Sequence, residues 1–197
     1  MAVAADPGIR ILGLDPGSRH TGFGLITRRS GLLTYLDSGT LSPHGSADLS
    51  RRLVSLHELT CLLLARTQPD VVAVEDIFSA VNPRTALKLA HARGVLVLAV
   101  AQAGLPVLSY PPATVKKAVV GAGAAGKDKV AWMVERLLQG VPAGGEQGKH
   151  DATDALAVAL CHAAHLRTAT VAGAGVGEAG RSPAGKPAGA GPGGGSL

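Results

Sequence analysis

Cysteine is scarce in this chain, with two residues in 197. Cys61 and Cys161 do not form a Cys-x-x-Cys pair, and each lies in an apolar segment with helical spacing. This usage argues against a disulfide framework and against a zinc site, because both need cysteines at short, regular spacings. We expect both thiols to be free and buried.

Long hydrophobic runs are also missing, although 46% of the residues are hydrophobic and the mean hydropathy is +0.25. Charge, glycine or proline interrupts the apolar runs before they reach the roughly 20 residues needed to span a bilayer. Residues 1–10 lack the basic region and apolar core of a secretory signal. The sequence therefore predicts a soluble, cytoplasmic protein without membrane contact.

Residues 168–197 contain no aromatic residue and consist mainly of glycine, alanine and proline. Such a segment cannot bury enough apolar surface to offset the entropy lost on ordering. We predict a disordered tail there and one domain over residues 1–167, which is long enough for a proper core. The formal net charge of the chain is +5, of which the domain carries +4. A basic domain suits a polyanionic partner, but this signal is weak by itself.

Hydrophobic periodicity predicts five strands and five helices. The predicted strands cover residues 9–14, 21–27, 32–40, 71–74 and 105–110, and the predicted helices cover residues 47–67, 83–103, 112–120, 127–138 and 151–167. Short connections favour an antiparallel meander for the first three strands. The strand at residues 71–74 is apolar on both faces and is expected to be central. This order indicates an α/β fold, a mixed sheet with helices on both faces.

Two acidic residues directly follow apolar strands. Asp15 comes after residues 11–14, and Glu75 comes after residues 71–74. If the two strands are parallel neighbours, both carboxylates emerge at the sheet edge where open α/β sheets place their ligands. The alternative for each residue is an acid at a strand end that faces water.

Asp151 and Asp154 are spaced three residues apart at the start of the last predicted helix, so they share one face of it. Acids in a first helical turn are also favoured by the unpaired N–H groups and the helix dipole, so this spacing alone has a purely structural explanation.

The four carboxylates together suggest a metal site. Clustered carboxylates repel one another, and hard divalent cations with oxygen ligands relieve that repulsion. Two such ions about 4 Å apart activate water and stabilise the leaving oxygen of a phosphodiester. His150 is adjacent to Asp151 and either orients water or is simply a solvated residue at the helix start.

Four segments resemble the RuvC family of Holliday junction resolvases, in the order found in that family. Residues 11–17 with 21–24 resemble its first hairpin, and residues 74–78 with Asn82 and 86–94 resemble its central strand and following helix. Residues 115–121 with Lys127 resemble its basic segment, and residues 151–159 resemble its closing catalytic helix. The similarity extends over residues 9–165; the first motif alone is weak, since actin-like ATPases share it.

The resemblance implies an RNase H-like fold with a mixed five-stranded sheet and helices on both faces. It also implies a crossover junction endodeoxyribonuclease whose Asp15, Glu75, Asp151 and Asp154 bind two Mg²⁺ ions per active site, with Mn²⁺ able to substitute. Hydrolysis would leave 5′-phosphate and 3′-hydroxyl ends. Some relatives use a histidine at the third position, which is Asp151 here.

The resemblance further implies the DNA contacts and partners. Phe78 would stack on a nucleobase, Lys116 and Lys127 would contact phosphates, and the basic residues of the helix after Glu75 would extend that surface: Arg84, Lys88 and Arg93. A homodimer would nick two opposing strands of a four-way junction symmetrically, in recombination and repair. The branch-migration proteins RuvA and RuvB are the implied partners.

Two other functions remain as alternatives. One is an RNA-processing RNase H-like nuclease, against which Phe78 and the Lys116–Lys127 segment argue. The other is a non-catalytic module that binds branched DNA, which would gain nothing from four acids in its groove. An actin-like ATPase is disfavoured because that fold needs two such domains.

Overall fold

The computed structural model describes residues 8–43, 48–77, 82–123, 125–142 and 150–173. Five strands form one sheet in the order β3-β2-β1-β4-β5. They are β1 (Ile9–Asp15), β2 (Thr21–Arg29), β3 (Leu32–Leu41), β4 (Val71–Glu75) and β5 (Val107–Tyr110). β2 is antiparallel to β1 and β3, whereas β4 is parallel to β1 and β5. The predicted antiparallel meander and the interior position of the strand that follows Asp70 are confirmed.

The helices are α1 (Leu49–Thr67), α2 (Pro83–Gln102), α3 (Pro112–Val120), α4 (Lys127–Leu137) and α5 (His150–Gly173). α1 begins after Asp48, whose side chain accepts a hydrogen bond from the Ser50 amide. α2 begins after Asn82, and Pro83 occupies its first turn as its fixed φ favours. Within the described ranges, no helix is both long enough and apolar enough to cross a membrane.

The last helix is longer than predicted. α5 ends at Gly173, whereas the pattern of apolar residues places its end at residue 167 and the start of the tail at residue 168. Alanine at positions 169 and 172 has high helix propensity, so the helix propagates beyond its amphipathic part and ends at a glycine. The remainder of the predicted tail, residues 174–197, lies outside the described residues.

The sheet separates two cores because successive residues of a strand face opposite sides. Leu12, Leu14, Val72 and Val74 pack with α1 and α2 on one side. The alternate positions of β1 and β4, which include Ile11 and Ala73, pack with α3, α4 and α5 on the other. The side that α5 covers is also the side toward which Asp15 and Glu75 project, since these residues continue the same alternation.

The two cysteines occupy different environments. Cys161 is buried within α5, as predicted, but Cys61 is exposed on α1, so the prediction that both thiols are buried is wrong for Cys61. Cys61 lies on the side of α1 that faces away from the core. Because apolar residues surround it in the sequence, periodicity alone did not distinguish the exposed side of this helix from the buried side.

Candidate active site

Asp15 and Glu75 lie side by side at the ends of neighbouring parallel strands. Leu14 is paired with Val74 in the β1–β4 register, so the next residue of each strand reaches the same edge of the sheet. The two side chains are partly buried and share a hydrogen bond. The sequence prediction that these two carboxylates emerge together agrees with this geometry.

Glycines of the β1–β2 hairpin bring the first turn of α5 onto the sheet. A Cβ at Gly22 would overlap the Asp151 carbonyl group, and a Cβ at Gly13 would overlap the Ala155 carbonyl oxygen. The helix backbone therefore rests directly on the strand backbone at these two positions. This close approach places Asp151 and Asp154 next to the ends of β1 and β4. The role of the glycines was not predicted.

The four carboxylates interact electrostatically. Burial, together with the negative charges of Glu75, Asp154 and Asp151, raises the pKa of Asp15 to about 8. Burial also raises the pKa of Glu75, although the hydrogen bond with Asp15 opposes this shift. The structure thus brings the other three predicted acids within electrostatic range of Asp15, and we call these four residues the carboxylate cluster.

Two predicted lysines border the cluster. Nζ of Lys127 lies 3.1 Å from Oδ2 of Asp154, and this hydrogen bond is the main reason that the pKa of Lys127 is raised. The charges of Lys116 and Lys127 both act to lower the pKa of Glu75, so both ammonium groups lie within electrostatic range of it. The pairing of Lys127 with Asp154 was not predicted.

The structure describes all but one of the remaining predicted residues. Arg84 and Lys88 are exposed near the start of α2, and His150 is exposed as the first residue of α5. Arg93 forms an ion pair with Asp76 at 2.6 Å and contacts Ser109, so its guanidinium already has partners within the protein. Phe78 lies outside the described residues.

The donor set fits a hard divalent cation, although it is not preformed. Across the described ranges, no three His, Cys, Asp or Glu side chains are already grouped to hold a metal ion. Asp15 and Glu75 share a hydrogen bond, and Lys127 contacts Asp154, so part of the oxygen set is already engaged. Carboxylates whose ionisation is opposed by burial and mutual repulsion are nevertheless the groups that a divalent cation stabilises.

A polar pair behind the cluster was also missed. Tyr110 is paired with Glu75 in the β4–β5 register, and its hydroxyl forms a hydrogen bond with Nδ1 of His162 on α5. No local pattern links residues so far apart in the chain, and only the packing of α5 on β5 reveals the contact.

Comparison with known proteins decides the family. The family model described as "Crossover junction endodeoxyribonuclease RuvC" matches residues 11–162. This chain belongs to the RuvC family. A family member of Myxococcus xanthus is 48% identical over 170 residues, which cover 86% of this chain and 88% of the relative. One of Azorhizobium caulinodans is 50% identical over 157 residues, which cover 80% of this chain and 90% of the relative.

Solved structures agree with this membership. Thermus thermophilus RuvC in complex with a Holliday junction substrate superposes with a TM-score of 0.74 at 32% identity, covering 82% of this chain and 97% of that one. The yeast mitochondrial Holliday junction resolvase Ydc2 has a TM-score of 0.64 at 14% identity over 85% of each chain, which shows a common fold. The RNase H-like α/β fold is confirmed.

The predicted enzyme class is confirmed as well. The chain is a crossover junction endodeoxyribonuclease of the RuvC family, and neither an RNA-processing nuclease nor a non-catalytic binding module is favoured. Nucleases of this family are metal-dependent, which agrees with the carboxylate cluster.

Proposed function

We propose that this chain resolves Holliday junctions with Asp15, Glu75, Asp151 and Asp154 holding two Mg²⁺ ions, for which Mn²⁺ can substitute. The observation that carries the proposal is geometric: the β1–β4 register places Asp15 beside Glu75, and the first turn of α5, which holds Asp151 and Asp154, rests on Gly22. Burial and the three neighbouring carboxylates raise the pKa of Asp15 to about 8. A protein gains no stability from such a cluster by itself. Divalent cations would compensate its charge and let all four acids ionise at neutral pH.

When bound, such ions activate water and neutralise charge on the leaving oxygen of a phosphodiester. Asp15 and Glu75 hold their positions through the parallel register of β1 and β4. The N-terminal turn of α5 supplies Asp151 and Asp154 from above the sheet. Hydrolysis in this arrangement would leave 5′-phosphate and 3′-hydroxyl ends.

The substrate is proposed to be a four-way DNA junction. The Thermus relative, at 32% identity, was solved with a Holliday junction substrate. Lys116 and Lys127 border the carboxylates and are suited to hold the phosphates next to the cut. Arg84 and Lys88 would extend this contact along the exposed start of α2, and Phe78 would stack on a base near the junction centre.

The active unit is proposed to be a homodimer. One chain supplies one carboxylate cluster, whereas a symmetric junction presents two equivalent strands. Leu87 and Leu98 are 60% and 51% exposed and lie on the same side of α2, three turns apart, so this side is suited to a second copy. We further propose that the enzyme acts in the cytoplasm with RuvA and RuvB.

A cleavage assay on a synthetic four-way junction tests the chemistry. Asp15→Asn and Glu75→Gln are expected to reduce the cleavage rate by more than about 100-fold while junction binding persists. The matched control is Glu58→Gln on the exposed surface of α1, which should cleave normally. Normal cleavage by Asp15→Asn, or by the wild type in excess chelator, would overturn the proposed metal site.

Linear duplex and structured RNA serve as competing substrates, and a preference for RNA would contradict the proposed substrate.

Sedimentation velocity tests the oligomeric state. The wild type is expected to sediment as a dimer at micromolar concentration, and Leu98→Glu should shift it toward the monomer. Leu62→Glu is the control, because Leu62 is similarly exposed but lies on α1. A monomeric wild type that still cuts both strands of one junction together would exclude the dimer proposal.

A further inference from the structure

Lys127 reaches the carboxylate cluster from outside. Its side chain is 62% exposed, whereas that of Asp154, only 3.1 Å away, is 25% exposed. The ammonium group therefore lies at the mouth of the site while its aliphatic stem extends over the surface. A lysine of this kind changes its contact at little steric cost, since its four-carbon stem is flexible.

The contact extends beyond one carboxylate. Asp15 and Asp151 attract the same ammonium group, although less strongly than Asp154 does. Lys127 in turn favours the ionised form of Glu75. The ammonium group thus serves as a counter-ion for the cluster as a whole.

The position of Lys127 in its helix supports this assignment. Lys127 is the first residue of α4, and the preceding Gly126 provides no side-chain cap. A cation at a helix N-terminus opposes the helix dipole, which favours acids there. The local structure of α4 therefore disfavours a lysine at this position, and the neighbouring carboxylates account for its stability there.

We propose that Lys127 is an internal counter-ion that competes with divalent cations for Asp154, and that this exchange couples cation binding to DNA binding. The inference rests on the proposed function, in which Asp154 is a metal ligand and Lys127 contacts phosphate. An ammonium group 3.1 Å from Oδ2 and a divalent cation on the same carboxylate repel each other, so the binding of one disfavours the other. The cation therefore releases Lys127, which becomes available to a DNA phosphate beside the site.

The coupling is reciprocal. A phosphate that captures Lys127 removes the competitor from Asp154, so DNA raises the affinity of the site for the cation. By linkage, the cation raises the affinity for DNA by the same factor. Without DNA, Lys127 keeps the cluster partly neutralised and lowers its affinity for the cation.

Calorimetric titration of the full chain with Mn²⁺, in the absence of DNA, measures the competition directly. Lys127→Met is expected to bind Mn²⁺ roughly 2- to 5-fold more tightly than the wild type, the range that corresponds to the loss of one exposed ion pair. Lys129→Met is the matched control, since Lys129 is an exposed lysine of the same helix. Mn²⁺ binding by Lys127→Met that equals or falls below that of Lys129→Met would overturn the inference.

Junction affinity in Ca²⁺ and in chelator measures the coupling. Ca²⁺ should strengthen junction binding of the wild type more than that of Lys127→Met, by the factor found in the Mn²⁺ titration. An equal gain in both proteins would contradict the exchange. Asp154→Asn separates the two proposals: if it weakens Mn²⁺ binding while Lys127→Met has no effect, the counter-ion role fails alone. If the wild type binds no Mn²⁺, the proposed function fails with it.

Discussion

The hydroxyl oxygen of Tyr110 lies 2.7 Å from Nδ1 of His162, and this hydrogen bond joins the last residue of β5 to the middle of α5. His162 is only 6% exposed. A hydrogen bond between partly buried side chains contributes about 1 kcal/mol net, and leaving one buried partner unsatisfied costs more. The contact therefore fixes α5 against the edge of the sheet next to Glu75.

Removing one partner of this pair should destabilise the fold. Tyr110→Phe is expected to lower the free energy of unfolding by about 1–2 kcal/mol, because Nδ1 of His162 loses its partner. Urea unfolding at pH 8 measures the change. The double variant Tyr110→Phe/His162→Leu should recover part of the loss, since an apolar pair needs no hydrogen bond. A single variant as stable as the wild type would show that the contact contributes nothing.

The same histidine predicts a loss of stability in acid. Burial, and to a lesser extent the neighbouring His165, lowers the pKa of His162 below its usual 6.5. The unfolded chain therefore takes up a proton near pH 6.5 before the folded chain does, and the free energy of unfolding falls as the pH decreases below that value. Unfolding curves at pH 7.5, 6.5 and 5.5 should show this loss, and the Tyr110→Phe/His162→Leu variant should show less of it.

The carboxylate cluster predicts the opposite pH dependence for the metal-free protein. The pKa of Asp15 is raised from 3.8 to about 8, so the folded state holds a proton that the unfolded state releases. The contribution of Asp15 to stability is thus lost progressively as the pH rises from about 4 to 8. In chelator at pH 8, Asp15→Asn should melt about 2–4 °C above the wild type, which corresponds to about 1 kcal/mol for a chain of this size. Adding Mn²⁺ should raise the melting temperature of the wild type and leave that of Asp15→Asn nearly unchanged. If Asp15→Asn melted below the wild type in chelator, the Asp15 carboxylate would not destabilise the metal-free protein.

The close packing of α5 on Gly22 predicts that a larger residue at this position disturbs the active site. In Gly22→Ala the new methyl group overlaps the Asp151 carbonyl group, so the first turn of α5 has to move. We expect a loss of about 1–3 kcal/mol in stability and a more than tenfold slower cleavage of the junction, since a shift of about 1 Å disturbs reacting geometry. Gly123→Ala is the control, because its methyl group meets only ordinary contacts. Wild-type cleavage by Gly22→Ala would mean that the position of α5 is not limiting.

The two thiols should differ in reactivity. Cys61 is exposed, whereas burial raises the pKa of Cys161 to about 11 and leaves little thiolate at pH 8. An aromatic disulfide reagent at pH 8 should therefore label one thiol per folded chain rapidly and the second only in denaturant. The Cys61→Ser variant should lose the rapid phase; a rapid phase that persists would assign it to Cys161.

Local sequence patterns were sufficient to predict the strands, the helices and the proximity of Asp15 and Glu75. Asp15 and Glu75 each end an apolar strand, and a helical crossover makes those strands parallel, so their carboxyl ends must share one edge. The same patterns placed the end of α5 at residue 167, because periodicity marks where an apolar face stops and not where a helix does.

The amino-acid sequence by itself determined which residues were available to form the site: two acids at strand ends, two in the first turn of α5 and lysines on the two helices that precede it. Only the tertiary structure decided how they meet. Gly22 lets the backbone of Asp151 reach the sheet, Lys127 pairs with Asp154, and Tyr110 binds His162. The physical reason is that periodicity encodes which side of an element is apolar, whereas the partner that covers it, and the distance between them, depend on the packing of elements far apart in the chain.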